Sequence, residues 1–259
     1  MGNMNTKPAY TTSELLSVMC GRAMSDGQII FAGVGVPLLG ATLAQNRHAP
    51  HLTILFEGGI IGPFIQPGRL PLSTNEMRTA EKANMLLNAT DVLALLQRGY
   101  VDIGFIGGAQ IDRYGNVNSS YLGDVSRPTT RLPGSGGGND ISSLVETIVI
   151  MPHERKRFVE TVDFVTSPGY LMGGTSRRDS GLIAGGVLKV ITNFCTFGFH
   201  PETRRLTVQS LHPGVSIDDV LTNMSFRPEI PDGLETSEPP AAEELEFLRQ
   251  LDPQRMYLR

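Results

Sequence analysis

Tryptophan is absent from the chain, cysteine occurs only twice, and no apolar run approaches the roughly 18–20 residues that a membrane-spanning helix needs. Cys20 and Cys195 fall in a helix-like and a strand-like stretch, and neither has a cysteine or histidine at metal-ligand spacing. That excludes a disulfide scaffold and a zinc knot, and reads as two reduced core thiols in a cytoplasmic protein. Histidine is also scarce. His48 and His51 flank Ala-Pro, which breaks the helical pairing a metal site would use, and His153, His200 and His212 sit at a strand end, a turn and a position before proline. His153, His200 and His212 are expected to be structural, and no metal is expected. Positive charge is in deficit, with a net charge of −4, which argues against nucleic acid or an anionic membrane as partner. The N-terminus lacks the charged and apolar regions of a signal peptide. "MGNMNT" fits the pattern for Gly2 myristoylation, but Met4 is an alternative start, and residues 1–10 read as a disordered leader.

Glycine, by contrast, is abundant, and apolar runs alternate with helical spacing. "TTSELLSVMCGRAM" reads as a helix capped by Thr12 or Ser13. "QIIFAGVGV" reads as a strand ending in glycines, and "PLLGATLAQN" as a helix with Pro37 in its first turn. "LTILFEGG" is a second strand, residues 76–98 carry helical spacing interrupted near Asn88, and "VDIGFIGGAQI" is a third strand before the turn "DRYGN". After the glycine-rich "PGSGGGND" come the strands "ETIVIM" and "VDFVTS". "GVLKVITNFCTFGF" and "RRLTVQSLH" then form an antiparallel hairpin, and "SIDDVLTNMSF" is a helix with a Ser216/Asp219 capping box. Unbroken apolar strands imply cover on both faces. The fold class expected is α/β, an open and mostly parallel sheet flanked by helices with an antiparallel hairpin appendage. Residues 11–228 form the domain, and 229–259 a linker and a C-terminal tail helix.

"LTILFEGGIIG" poses a specific question, because a buried strand ends on Glu57 and two glycines follow. A dinucleotide fold would place a ribose-binding acid about 20 residues after its glycine-rich turn, where Glu57 stands. The spacing fails, since Gly33-x-Gly35 is followed by Pro37 and then Gly40. A second reading makes Glu57 a nucleophile. In a closed pocket at a strand end it loses hydration and gains reactivity, with Gly58 and Gly59 clearing the way for a ligand and leaving N–H groups open. The alternative is a helix cap or an ion pair.

Five stretches bear on that choice: "FEGGIIG", "GFIGGAQIDRYGNVNSSYLGD", "RPTTRLPGSGGGNDI", "HERKRFVETVDFVTSPG" and "SLHPGVSIDDVLTNMSF". They resemble the β subunit of the family I CoA-transferases, of the glutaconate and 3-oxoadipate type, in that family's order and over nearly the whole chain. The resemblance implies that Glu57 is the nucleophile, passing through a mixed anhydride and a glutamyl-CoA thioester. The family usually has Ser where this chain has Gly58. The resemblance also implies an enzyme active only with a partner α subunit, as an α2β2 heterotetramer, moving CoA between an acyl-CoA and a short dicarboxylic or oxo-acid. It implies further that no cofactor is tightly bound and that the CoA thioester is the substrate. Gly134, Gly136, Gly137, Gly138 and Asn139 are expected beside the acyl-CoA, where consecutive glycines bring the backbone close and present N–H groups. Gly107, Gly108 and Ala109 end another strand and are expected to line the same cleft, with a packing role as the alternative.

Relatives of this fold hydrolyse a ring carbon–carbon bond of a CoA thioester or decarboxylate a glutaconyl-type CoA, and typically lack the glutamate. A non-catalytic acyl-CoA-binding subunit is a third reading. Arg177 and Arg178 read as solvated loop residues within reach of a phosphate. Arg155, Lys156 and Arg157 read as a solvated helix face, and Tyr114-Gly115-Asn116 as a tight turn.

Overall fold

Strands that are apolar at every position need a covering layer on each side, and the chain supplies two layers of helices. The computed structural model describes residues 9–259; the expected leader and Gly2 lie mostly outside them. The helices are α1 (Thr12–Arg22), α2 (Val36–Arg47), α3 (Ala89–Gln97), α4 (Gly138–Leu144), α5 (Ser176–Asp179), α6 (Ile217–Thr222) and α7 (Ala242–Leu251). The strands before α4 are β1 (Ile29–Phe31), β2 (Thr53–Phe56), β3 (Ile60–Ile61), β4 (Met85–Leu86), β5 (Ile103–Ile106), β6 (Gln110–Ile111), β7 (Val117–Asn118), β8 (Tyr121–Leu122) and β9 (Thr130–Arg131). After it come β10 (Glu146–Ile150), β11 (Gly186–Ile191), β12 (Cys195–Phe199), β13 (Leu206–Leu211) and β14 (Glu235–Thr236).

Ten of these strands form one sheet in the order β14-β13-β12-β11-β10-β5-β1-β2-β3-β4. The central run β11-β10-β5-β1-β2 is parallel, and β12 and β13 turn back antiparallel beyond it, as the sequence pattern implies. Alternation along the strands sorts their side chains. Ile30, Ile54 and Phe56 join the cluster under α1, α2 and α7, whereas Phe31 and Leu55 join Val92 and Leu96 of α3 and Ile141 of α4 on the opposite face. Gly104 of β5 lets α4 approach closely, because a Cβ there would lie 2.2 Å from Ile141. The tail helix forms as expected and contributes Leu248 and Leu251 to the first cluster. Among the described residues no helix is long and apolar enough to cross a membrane. Both thiols are free and buried, and burial pushes Cys195 up to about 12.

Several local expectations change. Thr11, not Thr12 or Ser13, caps α1, because Glu14 lies three residues on and closes a capping box. The helical spacing over 76–98 resolves into a 3₁₀ turn at Met77–Ala80, the edge strand β4 and α3, with Asn88 as the N-cap of α3. "VDIGFIGGAQI" breaks at Gly107-Gly108 into β5 and β6, which belong to different sheets. "VDFVTS" is irregular apart from a bridge from Ser167 to Val117, and "GVLKVITNFCTFGF" is two strands rather than one. "HERKRF" is a turn. Arg155 donates to Thr222 O and Met224 O, and Arg157 to Gly108 O, instead of forming a solvated helix face.

The histidine expectation holds in detail. His153 stacks among Phe158, Phe194 and Phe197 with its ring nitrogens at Thr192 Oγ1 and Val220 O. His212 is fully buried between Thr192 O and Ser237 Oγ. Burial lowers both from the ordinary 6.5 to about 4, against the opposing pull of the carbonyl acceptors. The folded chain therefore binds fewer protons than the unfolded chain between those values. Its stability is full above about pH 6.5 and falls as pH drops toward 4, by at most about 1.4 kcal/mol per pH unit for each histidine. Asp112, raised by burial, trims that slope. Urea unfolding across this window is expected to show the decline, and His212→Asn to flatten it.

Candidate functional site

From β1 the chain passes through α2 to β2 on one side, and later returns to place β5 on the other. Open parallel sheets bind ligands at such a reversal, at the carboxyl ends of the strands. A cleft of about 250 Å³ lies there, lined by Phe31, Ala32 and Gly33 past β1, Glu57 past β2, and Phe105, Ile106 and Gly107 at the end of β5. Thr74, Ser119, the loop from Gly134 to Gly138, Ile141 and Ser167 complete it. No lysine, arginine or histidine is among these residues.

Glu57 is partly buried and continues the face on which Leu55 meets α3 and α4. Its carboxylate lies against the loop, since a Cβ on Gly137 would stand 3.4 Å from Oε1. Among the described residues the carboxylate makes neither a hydrogen bond nor an ion pair, so the helix-cap and salt-bridge alternatives do not describe it.

The loop is held by its neighbours and leaves its own donors free. Gly134 N–H donates to Ser119 O at 2.8 Å, Ser119 Oγ donates back to Gly134 O at 2.9 Å, and Gly138 N–H donates to Ser135 O at 2.8 Å. Gly136 is left-handed at φ +48 and Gly137 right-handed at φ −73. This succession turns neighbouring N–H groups toward one point. Among the described residues those of Ser135, Gly136 and Gly137 have no acceptor.

The other expected residues divide. Gly107 faces the cleft. Gly108 is packed against β7, where a Cβ would lie 2.3 Å from Val117, and Ala109 N–H donates to Asn118 O at 2.8 Å. Asn139 is exposed and ties the loop to its neighbour by donating to Thr166 O at 2.9 Å. Gly58 and Gly59 do not clear space for a ligand, because protein fills that space. A Cβ on Gly58 would lie 2.7 Å from Thr74 O, and one on Gly59, itself at φ +98, would lie 2.1 Å from Leu87 O. The glycines let the 74–75 and 87–88 segments close over the strand end, which brings Thr74 to the cleft.

Sequence reasoning missed Thr74, Ser119 and Ser167. Ser119 and Ser167 lie inside stretches that carry the resemblance, but single serines have no spacing signature. It also misplaced Arg177, which is buried rather than solvated, whereas Arg178 is exposed as expected. Arg177 donates to five backbone carbonyls, those of Pro168, Gly169, Ser142, Ser143 and Ala184. It thereby staples the C-terminal end of α4 to the segment carrying Ser167. Among the described residues no cluster of three His, Cys, Asp or Glu is placed to hold a metal ion.

A coenzyme A transferase family profile matches residues 14–223. The chain is 35% identical over 246 residues, 94% of each chain, to the B subunit of 3-oxoadipate CoA-transferase from Pseudomonas knackmussii. It is 33% identical over 256 residues, 96% of each chain, to the B subunit of glutaconate CoA-transferase from Acidaminococcus fermentans. The crystal structure of glutaconate coenzyme A-transferase from A. fermentans matches with a TM-score of 0.91 at 31% identity, covering 98% of this chain and 99% of that one.

Two substitutions check the geometry. Gly58→Ser forces a side chain onto the Thr74 carbonyl and is expected to cost about 1–3 kcal/mol in chemical denaturation. Arg177→Ala strands five carbonyls and is expected to cost on the order of 3–5 kcal/mol. Arg177→Lys should recover only a fraction of that in thermal unfolding, since an ammonium has fewer donors and no fork.

Proposed function

The chain belongs to the coenzyme A transferase family, and we propose that it is the subunit that carries the covalent nucleophile, Glu57, of a two-subunit CoA-transferase. One observation carries this reading. An unpaired carboxylate stands at a strand end against a loop whose Ser135, Gly136 and Gly137 N–H groups are free.

The chemistry proposed is the one the family resemblance implies, carried by those groups. Glu57 attacks the thioester carbonyl of the donor acyl-CoA, and the C–S bond breaks to give a mixed anhydride and CoA thiolate. The thiolate then attacks the Glu57 carbonyl and expels the donor acid as its carboxylate, leaving a glutamyl-CoA thioester. The acceptor carboxylate attacks that thioester, thiolate departs, and its return to the acceptor's acyl carbon releases the new acyl-CoA and free Glu57. Each step conserves an activated acyl bond. The free loop N–H groups suit the oxyanions that form at each attack, where a lost donor typically costs about 3–4 kcal/mol. Apolar walls from Phe31, Phe105 and Ile106 limit the water that would otherwise hydrolyse the anhydride.

The cleft is small for such substrates. Its roughly 250 Å³ falls below the range of about 300–1,000 Å³ usual for small-molecule sites. This supports a site completed by a second polypeptide. The α2β2 assembly, and a CoA thioester of a short dicarboxylic or oxo-acid as substrate, are proposed from the likeness to the B subunits of 3-oxoadipate and glutaconate CoA-transferases. The two buried free thiols are in keeping with the cytoplasm.

The test uses the complex with its partner subunit. Donor acyl-CoA is added without acceptor, followed by hydroxylamine or borohydride, and the peptide containing Glu57 is examined by mass spectrometry. A hydroxamate or a reduced side chain at Glu57 is expected. Glu57→Ala is expected to lower kcat by at least about 10³-fold with little change in Tm, since the carboxylate has no structural partner. Undiminished turnover by Glu57→Ala would overturn the proposal.

A further inference from the structure

Ser167 is buried, 3% exposed, and its hydroxyl opens onto the cleft without a hydrogen-bond partner among the described residues. The other hydroxyls there are occupied or loose. Ser119 Oγ donates to Gly134 O, Thr74 Oγ1 is turned to Asn75 Oδ1 at 3.3 Å, and Ser135 is exposed at the rim. A hydroxyl that faces a candidate site without a protein partner is available to donate to a ligand atom there.

Its placement relative to Glu57 says which ligand atom. A Cβ on Gly138 would lie 3.3 Å from Ser167 Oγ, as one on Gly137 would lie 3.4 Å from Glu57 Oε1. The two groups thus flank adjacent residues of one loop. An acyl chain that starts at Glu57 and runs along this loop passes from Gly137 toward Gly138 and Ser167. The cleft residues of this chain include no cation, so an oxygen on that part of the acyl chain meets only hydroxyl and N–H donors here.

The serine is also held rigidly. Its N–H donates to Val117 O at 3.0 Å and its carbonyl accepts from Val117 N–H at 2.9 Å. Next to it, Thr166 Oγ1 accepts from Ser119 N–H, Thr166 O accepts from Asn139, and the carbonyls of Pro168 and Gly169 are fixed by Arg177. A donor locked on both sides loses little freedom when it binds, which is what discrimination requires.

We propose that Ser167 is a specificity-determining residue, donating a hydrogen bond to an oxo or carboxylate oxygen carried along the acyl chain beyond the thioester. The site therefore favours short oxo- and dicarboxylic acids over plain alkanoic acids of equal length. The proposal rests on the reading of Glu57 as the acyl acceptor.

The test compares the wild-type and Ser167→Ala two-subunit complexes with 3-oxoadipate and glutarate against hexanoate and valerate as acceptors. Ser167→Ala is expected to lower kcat/KM for the oxygenated acids by about 10- to 100-fold and leave the plain acids nearly unchanged, with Tm unaltered. An equal loss across all four acids, or no loss for any, would overturn it. Trapping with hydroxylamine in the same samples separates the two proposals. A Glu57 adduct in the wild type together with an unaltered acid preference in Ser167→Ala removes Ser167 alone. The absence of any Glu57 adduct removes both.

Discussion

Gly137 stands where any side chain would begin 3.4 Å from the Glu57 carboxylate, and a Cβ there would also lie 3.7 Å from Leu93 of α3. The meeting of that carboxylate with that loop, at ordinary contact distance, is the arrangement on which the site rests. The carboxylate comes from the end of β2 and the loop from the start of α4. They meet because the strand order reverses at β1, with β2 on one side and β5 on the other of a parallel run, leaving an opening at the strand ends. Gly104 beneath Ile141 allows α4 to sit near enough to the sheet for its leading loop to reach the opening. Backbone without side chains thus recurs wherever an apolar layer must hand over to a polar site.

Arg177 holds the far side of this arrangement. A buried guanidinium with no carboxylate partner is unusual, because the desolvated charge ordinarily demands an opposite one. Here five carbonyl dipoles take that role, and burial lowers the group from its usual value. The carbonyls belong to α4, to the 168–169 turn and to Ala184, so one side chain fixes three segments remote in sequence. One Arg177 nitrogen, Nε, remains buried without a partner, which indicates that reach to the carbonyls outweighed complete satisfaction.

Much of this was legible from residues alone. The parallel sheet followed from unbroken apolar strands, the acidic capping box of α6 from Ser216 and Asp219, and a carboxylate in the cleft from the Glu57 that follows β2. Elements of two residues were not legible. β4 and β6 have too few positions to show a period, and β4 pairs with a partner some way off in sequence, β3. The glycines after Glu57 suggest space for a ligand, when the space belongs to the 74–75 and 87–88 segments. Local sequence shows that bulk is missing but not what fills the gap. Arg177 escapes for a similar reason, since its five acceptors are backbone atoms and backbone leaves no trace in residue identity.

The first helix is finished by the last. Glu14, 2% exposed, accepts from Arg249 at 2.7 Å, and Leu15 and Leu16 share a cluster with Leu248 and Leu251. During synthesis α1 and α2 therefore emerge long before the segment that seals them, and their apolar faces stay open while most of the chain is added. Closing so distant a contact is slow and leaves sticky surface uncovered in the meantime. Cutting away α7 would bare those same faces permanently.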